Sequence, residues 1–116
     1  MRKFLVRAQP WTYQAMRIVA GLLFAFHGAQ KFGLFGGRRV ALVSQFGAAA
    51  IIELLGGLLI AAGVAVSPVA LICSGQMAVA YFQAHAPRGF WPIQNGGELA
   101  VLYCFVFLYI STRGRK

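Results

Sequence analysis

This chain of 116 residues contains no aspartate, and its two glutamates, Glu53 and Glu98, stand against 11 lysines and arginines. Chemistry built on paired aspartates is therefore excluded, and few acids remain to offset a formal charge of +9. Charged residues make up 11% of the chain against 59% hydrophobic ones, which leaves too little polar surface to coat a soluble globule. An ordinary soluble domain is excluded on that ground. Nucleic acid, the usual partner of so basic a chain, is not expected either. The cations lie at the two ends and in one loop, flanking apolar runs, where topology signals and lipid headgroup contacts belong.

Cysteine is also scarce. Cys73 and Cys104 make no CxxC and no metal-ligand spacing, so both read as small buried hydrophobes. The two histidines and two glutamates share no metal-ligand spacing on one helix, and no metal site is expected. Ser44, Ser67, Ser74 and Ser111 stand near no obvious base, which leaves a Ser-His-acid nucleophile without support. A cleaved signal peptide is not expected, because the first apolar run begins only after Arg17 and leads into His27, Gln30 and Lys31 without a small-residue cleavage site.

Apolar length is what the chain has in quantity. Four spans are predicted, at about 13–32, 43–66, 69–86 and 97–110, as an all-α membrane bundle with short loops in one domain over residues 1–116. Pro10 is expected in the first helical turn, with Trp11 and Tyr13 at headgroup level. The stretch Gly33–Arg39 reads as a loop. Ser67 is expected to cap the third helix and Pro68 to open it. Glycine is abundant, at 14 residues; Gly56, Gly57 and Gly63, with Ala61, read as positions that let helices approach.

Orientation follows from the cations. Arg2, Lys3, Arg7 and Arg17 precede the first span, and Arg113, Arg115 and Lys116 follow the fourth, seven in all. Lys31, Arg38, Arg39 and Arg88 make four on the other side. An even number of spans with this imbalance places both termini in the cytoplasm. Cys73 and Cys104 then lie at different depths, so a disulfide between them is not expected.

Polar residues placed by depth gather toward the outer half. His27, Gln30 and Lys31 close the first helix, and His27 and Lys31 share a face at i,i+4. Glu53 lies inside the second span, where an ionisable group costs roughly 2.5–3.5 kcal/mol and marks a functional site by default. Gln76 and Gln83 share a stripe with Cys73 and Ala80 on the third helix, and His85 follows at its outer end. Glu98 begins the fourth, where Asn95-Gly96-Gly97-Glu98 has a capping-box pattern. Blander readings stand beside these: Lys31 can snorkel to headgroups, His85 can be interfacial, and Glu53 with Lys31 can be a structural ion pair.

Three runs resemble a known family. Gly21–Gly33 (GLLFAFHGAQKFG) is similar to the first-helix signature of the DoxX family of small bacterial and archaeal membrane proteins. Glu53–Ile60 (ELLGGLLI) is similar to its second-helix motif, and Asn95–Tyr103 (NGGELAVLY) to its fourth. The resemblance implies a four-helix membrane bundle. The family takes its name from the membrane subunit of a thiosulfate:quinone oxidoreductase, and some members are linked to redox stress complexes. Thiosulfate chemistry here would need a partner.

The resulting expectation is a small multi-pass subunit of a redox system in a prokaryotic plasma membrane, surrounded by lipid, partnered by a larger redox protein and interacting with a quinone. It is not expected to be active alone. Glu53 is expected to exchange protons and His27 to be its hydrogen-bond partner, with Lys31, Gln30, Gln76, Gln83, His85 and Glu98 lining the ligand site. A pocket near Glu53 is expected to be walled by Phe24, Tyr81 and Phe105. The competing expectation is a non-catalytic assembly subunit, in which the polar cluster only holds the helices together.

Overall fold

The computed structural model describes residues 1–34 and 44–115, and every regular element among them is helical. Helix α1 is Arg2–Lys31, α2 Gln45–Ala62, α3 Val66–Ala80, α4 the single turn Pro92–Asn95, and α5 Glu98–Arg113. After Ala80 the chain continues through a π turn, Tyr81–His85, and a 3-10 turn, Ala86–Arg88. Among the described residues, one helical stretch, Val66–Arg88, is long and apolar enough by length and composition to cross a membrane; Gly47–Ala62 is apolar but shorter. The expected loop Gly33–Arg39, with Arg38 and Arg39, and the expected start of the second span at Val43 fall largely or wholly outside the described residues, as does Lys116.

Local chemistry explains most boundaries. Ser44 caps α2 by accepting the Gly47 N–H at 3.1 Å. Gly63 ends α2 in the left-handed region, φ 82°, where a Cβ would be strained. A Schellman turn closes there: Val64 N–H donates to the Leu59 carbonyl at 2.9 Å and Gly63 N–H to that of Ile60 at 3.2 Å. Gly63 is thus a helix stop, not the packing glycine expected. Ala65 then takes φ 49° and α3 starts at Val66, so Ser67 and Pro68 lie in its first turn and Ser67 does not cap it. Pro10 is not in the first turn of its helix either, because α1 begins at Arg2 and carries Pro10 inside it. The capping box is corrected as well. Gly97 is the residue before α5, and Asn95 Oδ1 accepts the Gly97 N–H at 2.8 Å as a turn, with Glu98 exposed at the first helical position.

Helix α1 packs chiefly on α2, and α3 on α5. The first pair touches through backbone. A Cβ on Gly21 would lie 2.6 Å from the Gly57 carbonyl oxygen, and one on Gly28 2.5 Å from the Leu54 nitrogen. Gly21, Ala25 and Gly28 therefore form a line without bulk against Ala50, Gly57 and Ala61. Gly56 turns the other way, toward Cys73 on α3. Aromatic rings join the two pairs: Phe24 of α1 lies 4.7 Å from Phe107 and 5.3 Å from Tyr103 of α5, centroid to centroid. Phe24, Ile60, Cys73, Phe107 and Ile110 are almost fully buried. The cysteines are free thiols.

At the end of the molecule where α1 meets α5, Tyr13 Oη donates to the Gly114 carbonyl at 2.6 Å and Gln14 Nε2 to that of Arg115 at 2.7 Å. The Arg113 guanidinium lies 4.3 Å over the Tyr13 ring.

Candidate functional site

Glu53 sits a little before the middle of α2 and is 2% exposed. Its Oε2 accepts a hydrogen bond from Lys31 Nζ at the end of α1, which makes the pair a salt bridge. The ammonium is well placed on its own helix too, since a cation in the last turn faces the negative end of the macrodipole. Gln76 Nε2, from α3, donates to the same carboxylate oxygen at 3.1 Å. A carboxylate only accepts, so this bond fixes which way the Gln76 amide points. Gln76 Oε1 is then left buried with no hydrogen-bond partner.

These groups form part of the wall of a cavity of about 1120 Å³. The rest of the wall is mostly apolar, with Phe24, Ile52, Ile72, Met77 and Leu99 among its residues. His27, Gln30, Gln83 and His85 also line it. Tyr103 brings a phenol to the same wall, and its ring meets the His27 ring edge-on at 6.0 Å. A large apolar chamber with a few convergent polar groups is the usual form of a site for a lipophilic small molecule.

The expected site residues are therefore brought together unevenly. Lys31, Glu53 and Gln76 form one hydrogen-bonded unit, whereas His27 faces Tyr103 rather than serving as the partner of Glu53. Gln30 and Gln83 line the cavity from exposed positions, and His85 is half-buried, its Nδ1 3.3 Å from the Asn95 carbonyl oxygen. Glu98 is exposed and is not among the cavity-lining residues. Of the expected walls, Phe24 is in place. Phe105 points outward at 64% exposure, and Tyr81 instead accepts from Asn95 Nδ2 at 3.0 Å. No group of three or more His, Cys, Asp or Glu that could hold a metal occurs among the described residues.

Two residues were misread in the sequence, Asn95 as a helix cap and Arg17 as a flanking cation. Asn95, 2% exposed, organises the segment before α5 by donating to Tyr81 Oη and the Gly89 carbonyl, both at 3.0 Å. Arg17, counted above as a headgroup cation, is only 6% exposed. Its Nη1 donates to the Ile60 carbonyl and, at 3.1 Å, to that of Ala61, and its Nε and Nη2 donate to Gln14 Oε1 at 3.0 and 2.7 Å. Arg17 thus closes the last turn of α2, where carbonyls lack intrahelical donors. The signal was present: Arg17, Gly21, Phe24, Gly28 and Lys31 recur at steps of four and three along one face.

The family model described as DoxX matches residues 13–86. An uncharacterised protein of Haemophilus influenzae is 37% identical, over 95% of this chain and 88% of its own length. No solved structure matches.

Proposed function

The chain belongs to the DoxX family of membrane proteins, and on that premise we propose that it is a four-span subunit of a redox system that takes a quinone into the Glu53 cavity. The observation that carries this reading is the placement of the buried Glu53 carboxylate, held by Lys31 and Gln76, in the wall of a mostly apolar chamber of about 1120 Å³. The residues fit such a ligand. Isoprenoid and ring surfaces suit Phe24, Ile72 and Met77, while two carbonyl oxygens need donors, which His27, Tyr103 and Lys31 can offer. When bound, a quinone supplies two-electron, two-proton chemistry, with the electrons coming from a larger partner. Lys31 and Glu53 hold a transferable proton at the cavity wall, and Gln76 orients the carboxylate toward Lys31. In this reading α1, α2, α3 and α5 all cross the plasma membrane, with the termini in the cytoplasm.

The test is Glu53→Gln, which keeps shape and hydrogen-bonding capacity and removes the acid. Quinone-dependent turnover should fall by at least about a hundredfold, the low end for loss of a positioned acid–base group, while recovery of the partner complex from membranes stays intact. Unchanged turnover would remove the redox reading. It would leave the assembly-subunit reading, for which the exposed apolar outer faces, including Leu71, Leu102 and Phe105, speak.

A further inference from the structure

The first three turns of α1 take no part in the packing above. Tyr13 is the first buried residue of that helix, and Phe4, Leu5 and Trp11 are 73%, 56% and 78% exposed. Their order is nonetheless periodic. Met1, Phe4, Leu5, Ala8 and Trp11 recur at i, i+3, i+4, i+7 and i+10, a single apolar face. Arg2, Lys3 and Arg7 lie off that face, with Val6 the one apolar residue among them, and no acid occurs anywhere before Glu53.

Pro10 separates this segment from the packed part of α1. Without an N–H it leaves the Val6 carbonyl without its intrahelical donor, and its ring crowds the turn below, the common cause of a bend in a long helix. If α1 ran straight along the membrane normal, Phe4 would stand about 20 Å beyond Arg17, in water. In the structure α1 runs through Pro10 as one helix; a bend there would bring the same face toward the lipid.

We propose that residues 1–12 form a membrane-surface helix that bends at Pro10 and lays its Phe4–Leu5–Ala8–Trp11 face into an anionic headgroup layer, with Arg2, Lys3 and Arg7 on the lipid phosphates. The inference rests on the reading that α1 enters the bilayer beyond Tyr13. An apolar face backed by cations without acids is the composition of helices that lie in the interface plane. Clustered cations beside a spanning helix favour anionic lipid.

The full chain, with Trp11→Phe and Trp91→Phe, is reconstituted in vesicles of zwitterionic lipid with or without anionic lipid. A single tryptophan is placed in turn by Phe4→Trp, Val6→Trp or Leu23→Trp. Brominated lipids should quench position 4 but not position 6, acrylamide should do the reverse, and quenching at position 4 should rise with anionic lipid. Replacing Arg2, Lys3 and Arg7 by Gln should abolish that rise. Deep bromine quenching at position 23 with none at position 4 overturns this inference alone and points to a protein partner for the face. Equal quenching at positions 4 and 6 overturns it too. Absence of quenching at position 23 overturns the membrane reading of α1 and this inference with it.

Discussion

Lys31 and Glu53 are joined across the α1–α2 interface with very unequal access to their surroundings: the lysine side chain is 32% exposed and the glutamate 2%. The partner that can leave is the cation. Lys31→Met is therefore expected to cost roughly 3 kcal/mol, the lower end for orphaning a buried charge because Lys31 is not itself buried. Adding Glu53→Leu should recover part of that loss. A double-mutant cycle of unfolding in detergent measures the coupling; strictly additive losses would show that the pair contributes nothing.

Close approach of α1 and α2 predicts a sharp contrast among glycines. Gly21→Ala should destabilise by about 1–3 kcal/mol or prevent folding, because the added methyl meets rigid backbone of α2. Gly75→Ala, with nothing within 4 Å of the added carbon, should instead be neutral or stabilise by up to about 1 kcal/mol. Melting temperatures of the two variants in one detergent suffice. Equal behaviour would mean the helices do not touch as described.

Arg17 predicts a cost unrelated to topology. Arg17→Gln removes the donors to Ile60 and Ala61 and should destabilise by about 1–3 kcal/mol. Arg7→Gln, at an exposed position, should stay within about 0.5 kcal/mol. If Arg17 were only a headgroup cation, the two would be alike.

The proposed four-span arrangement predicts that Leu34 and Arg115 lie on opposite sides. Cysteines introduced there, with Cys73 and Cys104 replaced by Ala, should react with an impermeant reagent from opposite faces of sealed vesicles, Arg115→Cys from the cytoplasmic one. Reaction of both from one face contradicts four spans.

What the sequence disclosed follows how local each feature is. Helix type and the partnership of Glu53 with a first-helix cation were readable, because an acid in an apolar run admits few neighbours. The role of Arg17 was not, since a charge at a helix end looks the same whether it meets headgroups or the carbonyls of another helix. Phe105 and Tyr103 are two residues apart on α5, about 200° around the helix, and choosing the wrong face exchanged an outward ring for the one beside His27. Asn95 resembled a cap because its real partners, Tyr81 and Gly89, come from the turns before it.

The bond from Tyr13 to the Gly114 carbonyl joins residues 101 positions apart. On a ribosome releasing residues at about 5–20 per second, α1 and α2 can lock through their glycines several seconds before α5 exists to meet Tyr13. The hairpin is thus an early product of synthesis and the Tyr13–Gly114 staple a late one. Until α5 arrives, the Phe24 ring of α1 lacks Tyr103 and Phe107, the two rings that lie against it in the finished protein.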